Sequence, residues 1–317
     1  MKRLAAVAPP SGGAGASDPF AHPSTFDLVR RALAEDIGRG DVTTAATVAA
    51  GTSGRALLAT REDCVVAGVP LVGLVLAQLH APGALRVRAL AREGHAVRAG
   101  AVLAEIEGEL APLLTGERVL LNLVQALCGV ATLTRRYVDA VAGTGVTILD
   151  TRKTTPGLRL LQKYAVRMGG GRNHRFGLDD GVLVKDNHVA ACGSLRAAVE
   201  CARAAAPMGL KIEVEVDRLE QIGDALAGGA DLILLDNMRP DQVRAARTLV
   251  GTRALLEVSG GVNLETVRAL AESGPDFISV GRLTHSAPAI DLGLDLRARA
   301  ASGTRPRVKA ARRTAVR

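Results

Sequence analysis

Between Thr151 and Arg175 stand Arg152, Lys153, Arg159, Lys163, Arg167, Arg172 and Arg175, with no Asp or Glu among them. Guanidinium groups grip planar carboxylates through paired hydrogen bonds, and a lysine serves as a point charge for phosphate. The segment therefore reads as a grip for anions. Acids follow downstream. Glu215 ends the run KIEVEVD, and Asp236, beside Asn237, ends DLILLDN. Two such carboxylates can hold Mg²⁺, directly or through water, or bind ribose hydroxyls. Glu213 shares a side with Glu215, because strand side chains alternate. Ser259-Gly260-Gly261 and Gly281-Arg282 close the next two runs. Each can present backbone N–H groups to a phosphate, although for either alone plain turn chemistry is the simpler reading. Lys185, at the end of another run, could form a Schiff base, but its cationic surroundings and Asp186 favour a charged anion grip. His174 is a general acid, a donor to a carboxylate or a structural residue. His285, just past a glycine turn, is placed to touch a phosphate. The substrates these residue types call for carry at least one phosphate, a pyrophosphate with Mg²⁺, and carboxylates.

Such residues need strand ends to carry them. Short apolar runs occupy 146–150, 181–187, 211–217, 231–237, 254–261 and 276–281. The last four are spaced by roughly 20 to 25 residues, a strand plus a helix of a parallel β/α array. Amphipathic helical segments lie between them: SLRAAVECARAA, RLEQIGDALAGG, PDQVRAARTLV and NLETVRALAESG. Their number falls short of a full barrel, so the pattern predicts an incomplete one with its active face at the carboxyl ends. Upstream, FDLVRRALAEDIG predicts a helix with Phe26, Val29, Leu33 and Ile37 on one face, and DVTT a polar turn. GRALLATREDCVVAG reads as strand, turn, strand, PLVGLVLAQLH as a buried helix, and the stretch from Leu85 to Leu110 as paired strands. TGERVLLNLVQALCGVATLTRRYVDAV predicts a long helix joining this α/β module to the barrel. The expected division is a leader over 1–24, an α/β sandwich over 25–130 with 288–300 packing back on it, the barrel over 131–287, and a basic tail over 301–317.

The tail accounts for the whole formal net charge of +8, because Arg and Lys but no acid occur after Leu296. Such an end reads as a solvated segment before it reads as a nucleic-acid contact. At 2% aromatic residues the chain has little with which to stack bases. Cys64, Cys128, Cys192 and Cys201 form no CxxC pair, which fits a reducing cytoplasm. No uninterrupted apolar run is long enough to predict a membrane span. The opening residues lack the apolar centre of a secretion signal.

EDIGRGDVTT (35–44), TRKTTPGLR (151–159), KYAVRMGGGRNHR (163–175), LVKDNHV (183–189), EVEVD (213–217), LLDN (234–237), SGGV (259–262) and SVGRLTHSAPAIDLGLD (279–295) together resemble the quinolinate phosphoribosyltransferase family. The resemblance runs in order from about residue 26 to residue 296. It implies an α/β fold of the type II phosphoribosyltransferase kind: an N-terminal α/β sandwich plus an incomplete (β/α) barrel. It also implies a homodimer in which each sandwich caps the partner's barrel, with higher assembly left open. The implied reaction joins quinolinate to 5-phosphoribosyl-1-pyrophosphate with Mg²⁺, giving nicotinate mononucleotide, pyrophosphate and CO₂ for NAD synthesis.

By the same resemblance Arg152, His174 and Arg175 hold the quinolinate carboxylates, and Lys153 and Lys185 lie between the two substrates. Arg118 reaches in from the partner chain. Glu215 and Asp236 bind ribose and Mg²⁺, and Ser259, Gly260, Gly281 and His285 form the 5′-phosphate site. Three alternatives stay open: a relative acting on nicotinate or another small acid, an aldolase using Lys185, and nucleic-acid binding by the tail.

Overall fold

The computed structural model of the chain describes residues 18–80, 83 and 85–298. The expected tail (301–317) and most of the expected leader lie outside those residues.

The N-terminal module comprises α1 (Pro23–Ile37), α2 (Val42–Thr47), β1 (Ser53–Thr60), β2 (Cys64–Val65), α3 (Pro70–Ala77), β3 (Leu85–Ala89), β4 (Ala96–Val97) and β5 (Val102–Glu109). α4 (Leu110–Ala140) follows as a single 31-residue helix. The described residues include several that precede the expected leader boundary at residue 24. Phe20 is buried and meets the Tyr164 ring edge-on at 4.9 Å between centroids. On α1, Val29 and Leu33 enter the core as the spacing predicts, whereas Phe26 stays 45% exposed. DVTT is not a turn. Asp41 accepts hydrogen bonds from the Thr44 amide (2.9 Å) and the Thr115 hydroxyl (3.1 Å), so it caps α2 and ties it to α4.

The barrel module comprises β6 (Thr147–Leu149), α5 (Arg159–Met168), β7 (Val182–Val184), α6 (Asp186–Cys192), α7 (Leu195–Ala205), β8 (Ile212–Val216), α8 (Gln221–Ala227), β9 (Leu232–Asp236), α9 (Pro240–Val250), β10 (Leu255–Ser259), α10 (Val267–Ala271), β11 (Phe277–Ser279) and α11 (Arg282–His285). Its strands form a parallel sheet in the order β6-β11-β10-β9-β8-β7. β6 and β7 are the two edges, yet Leu149 and Val182 line one cavity, so the sheet curls without closing. The chain after α5 fills part of the gap: the Arg172 amide donates to the Ile148 carbonyl at 2.9 Å, and the Asp150 amide to the Arg172 carbonyl at 3.2 Å.

β12 (Leu292–Ala298) then leaves the barrel and pairs antiparallel with β1, giving a sheet of order β12-β1-β5-β3. The crossing is held by α4, whose Gln125 carbonyl accepts the Ile290 amide at 3.1 Å and whose Gln125 side chain donates to the Leu292 carbonyl at 3.1 Å. Among the described residues α4 alone is long and apolar enough, by length and composition, to cross a membrane. Here Leu120, Leu127 and Cys128 of α4 are buried between the two modules, and it packs on α3, α5, β2 and β12.

Candidate active site

A cavity of about 480 Å³ opens at the carboxyl ends of the parallel strands. Arg152, Lys153, His174 and Arg175 line it from the basic segment, Lys185 from the end of β7, Glu215 from β8, Asp236 from β9, and Ser259 and Gly260 from β10. The resemblance thus points to residues that the fold brings to one place. Arg118 is not among them: it lies exposed on α4 and lines no part of this cavity.

The seven cations between Thr151 and Arg175 do not act as one cluster. Lys163, on α5, is 2% exposed and forms an ion pair with fully buried Asp150. Asp150 also accepts from the Asn173 side chain (2.6 Å) and the His174 amide (2.9 Å), and Lys163 donates to the His174 carbonyl (3.0 Å). This pair shapes the loop that carries His174 and Arg175. Arg167 bonds Asn173 and lies over the Tyr164 ring, Arg159 ties the Thr154 hydroxyl to the Phe176 carbonyl, and Arg172 points to solvent. The glycines before the loop are not hinges. A Cβ on Gly169 would lie 2.5 Å from the Ala131 carbonyl oxygen, and one on Gly171 would lie 2.9 Å from the Thr134 methyl, so α4 requires them to be bare.

The cations left in the cavity are Arg152, Lys153, Arg175 and Lys185. Buried Nε of Arg152 has no protein hydrogen-bond partner. Burial, and then the nearby Arg152, hold the Arg175 guanidinium below its usual pKa. Two guanidinium groups that raise each other's energy form a natural seat for a dianion. Lys185 pairs with Glu215. Burial and the Glu215 charge push the Asp236 carboxyl up, so the pair sits in a mutually repulsive field that a divalent cation would relieve. The donor set, two carboxylates on adjacent strands, suits a hard cation.

A second lobe of about 180 Å³ shares Lys153, Ser259, Gly260 and Gly261 with the first and adds Asn263, Gly281, Arg282 and His285. Gly260 is at φ +86°, and a Cβ there would lie 2.3 Å from Oδ1 of Asn237. Only glycine lets the backbone take this path. His285 Nδ1 bonds the Ser286 hydroxyl at 2.6 Å, while Nε2 lies 3.2 Å from where a Gly281 Cβ would be.

The cavity floor carries a residue that the motif reading missed. Glu257, in the middle of β10, is 0% exposed and lies beside Glu213 and His174. Its signal was in the sequence: it alternates with Ser259 on the inward face of ALLEVSGG. Burial first, and then the Glu213 charge, push its pKa up to about 8, against the opposing pull of His174. His174 Nε2 is 3.0 Å from a Glu213 oxygen and 3.6 Å from a Glu257 oxygen, while Nδ1 accepts the Arg175 amide at 2.7 Å. The contacts therefore place a proton on Nε2. Burial lowers the pKa of the imidazole, but the two carboxylates outweigh it and the net direction is up. A second proton, however, would set Nδ1–H against the Arg175 N–H, so the Nε2–H tautomer is the form that satisfies every contact. Both ring nitrogens are thus engaged inside the protein, and His174 forms a wall of the cavity.

Residues 41–128 match the quinolinate phosphoribosyl transferase N-terminal domain, and residues 130–295 match its C-terminal domain. The chain belongs to the quinolinate phosphoribosyltransferase family. The boundary between the two family domains falls inside α4, the helix shared by both modules. The nicotinate-nucleotide pyrophosphorylase [carboxylating] of Mycobacterium leprae is 49% identical over 274 residues, covering 85% of this chain and 96% of that protein. A probable enzyme of the same name from Bacillus subtilis is 43% identical, covering 85% of this chain and 92% of its own length. The solved structure of the nicotinate-nucleotide pyrophosphorylase from Francisella tularensis superposes with a TM-score of 0.83 at 38% identity, covering 89% of this chain and all of that one.

Proposed function

We propose that the chain transfers the phosphoribosyl group of 5-phosphoribosyl-1-pyrophosphate to quinolinate and releases CO₂, forming nicotinate mononucleotide for NAD synthesis. The observation that carries this reading is the two-lobed cavity: a guanidinium pair and two strand-end acids in one lobe, a glycine-walled niche in the other, and Lys153 common to both. Arg152 and Arg175 take the two carboxylates of the pyridine ring. Ser259, Gly260, Gly281 and His285 take the 5′-phosphate, and Lys153 spans both lobes. Glu215 and Asp236 hold the ribose hydroxyls and Mg²⁺, directly or through water. When bound, Mg²⁺ supplies charge neutralisation for pyrophosphate.

The residues then act mainly by position and charge. Glu215 and Asp236 stabilise positive charge that grows on the ribose as its bond to pyrophosphate lengthens. The guanidinium pair orients the ring so that its nitrogen faces the anomeric carbon. Once that nitrogen is alkylated, the ring accepts the electron pair left behind by the departing carboxylate. Lys185, paired with Glu215, stays a charged grip; a Schiff-base role would need it free and neutral. His174 supports the loop that presents Arg175, in place of the direct carboxylate contact that the motif suggests.

By the family resemblance the site takes Arg118 from a second copy of the chain; its exposure on α4 and its absence from the lining of its own cavity support that reading. On that reading the working unit is a homodimer. The described cysteines are all unpaired, which supports the cytoplasm as its compartment.

The test is to incubate purified protein with quinolinate, phosphoribosyl pyrophosphate and Mg²⁺ while following nicotinate mononucleotide and CO₂. Equal yields, lost without Mg²⁺ or with nicotinate in place of quinolinate, are expected. Turnover of nicotinate would reassign the substrate.

A further inference from the structure

The proposed reaction leaves one demand unmet by the residues assigned so far. When the C–COO⁻ bond at ring carbon 2 breaks, CO₂ departs and the electron pair stays on that carbon. Nicotinate mononucleotide carries hydrogen there, so a proton must arrive at a position enclosed by protein.

The floor of the cavity holds a group fitted to this task. Glu257 lines the main cavity and is fully buried, and neither of its carboxyl oxygens has a hydrogen-bond partner of good geometry. One oxygen of Glu213, across from it, is also unpartnered. Two buried carboxylates side by side are costly, and one shared proton removes the cost. His174 Nε2 is already directed at a Glu213 oxygen at 3.0 Å, whereas neither Glu257 oxygen has such a donor, so Glu257 is the member of the pair left to carry the acid proton. The other groups facing Glu257 are the Ser279 hydroxyl from β11, Leu234 from β9, and Arg175 beside His174. Lys153, Lys185, Glu215 and Asp236 lie higher in the cavity, at the strand ends.

A second observation makes the site renewable. Behind the floor lies another cavity of about 340 Å³, and His174, Arg175 and Glu257 line both. Its rim is formed by exposed Asp180, Gly209 and Lys211. The cluster therefore forms a thin septum through the barrel, with substrate space in front and an opening to solvent behind.

We propose that Glu257 is the acid that protonates carbon 2 after CO₂ leaves, and that it regains its proton from solvent through the rear cavity. The Glu257 O–H bond breaks and the new C–H bond forms, leaving a Glu257 carboxylate. A water-borne proton restores the acid. Glu213 holds the proton on the Glu257 side, and His174 fixes Glu213.

The proposal rests on the phosphoribosyl transfer described above, and one experiment separates the two. Wild type and Glu257→Gln are run in an equal mixture of H₂O and D₂O, and the H/D ratio at carbon 2 of the product is read by NMR. That ratio reports the proton-donating step whether or not it limits the rate. Expected are a changed ratio in Glu257→Gln and a single-turnover rate about 10²-fold lower. The phosphoribosyl pyrophosphate KM should stay within about threefold, because its 5′-phosphate niche lies in the other lobe and Glu215 and Asp236 sit higher, at the strand ends. The wild-type single-turnover rate should fall as pH rises through about 8, since only the acid form donates, and Glu257→Gln should lack that limb. An identical ratio in both proteins would overturn the proposal and point to water or Lys153 as donor. Failure of wild type to make the nucleotide at all would instead overturn the reaction itself.

Discussion

At the scale of single residues, charge in this chain means different things according to what faces it. Arg152 and Lys153 look into the cavity, whereas Lys163, in the same basic run, is spent on Asp150. Removing one partner of a buried pair strands the other. Lys163→Met should cost about 3–5 kcal/mol in urea unfolding and raise the quinolinate KM more than that of the phosphate donor. A loss below about 1 kcal/mol would mean that Asp150 is carried by Asn173 and the His174 amide without help. The sequence told these lysines apart only weakly. Arg159, Lys163 and Arg167 recur every fourth residue, which is helical spacing and could have marked α5, but charge alone read them as a ligand grip. Glu257 was legible by alternation yet lacked any motif to single it out. Its significance comes from Glu213 and His174, which lie far from it in the chain.

Among the elements, legibility followed burial. The parallel strands were readable because a strand covered on both faces is a continuous apolar run, and each of the six runs became a strand. α2 was not readable because it rests on the Asp41 cap and on contact with α4, not on any apolar period. Gly129 shows how an element can depend on a missing side chain. A Cβ there would stand 2.0 Å from the Pro288 carbonyl oxygen, where the chain crosses α4 on its way back to the sandwich. Gly129→Ala should therefore lower Tm strongly, even though alanine favours helix by about 1 kcal/mol over glycine. A Tm equal to or above wild type would mean that the crossing yields easily.

For the whole molecule, the proposed role of Arg118 in the site of a second copy would make one copy insufficient. Arg118→Ala and Lys153→Ala should each be nearly inactive. Unfolded together and refolded, they should regain about a quarter of wild-type activity, because half the dimers are mixed and each mixed dimer has one intact site. No recovery would place Arg118 outside the reaction.

The pairing of β12 with β1 also bears on how the chain is made. β1 (Ser53–Thr60) leaves the ribosome early, whereas its neighbour β12 (Leu292–Ala298) emerges only after the whole barrel has been translated. Throughout that interval the nascent sandwich carries a bare strand edge, open to any other extended chain nearby. A stop codon just past the barrel would leave every cavity residue in place and make that edge permanent. Such a product should be caught by aggregation or chaperones rather than by loss of chemistry.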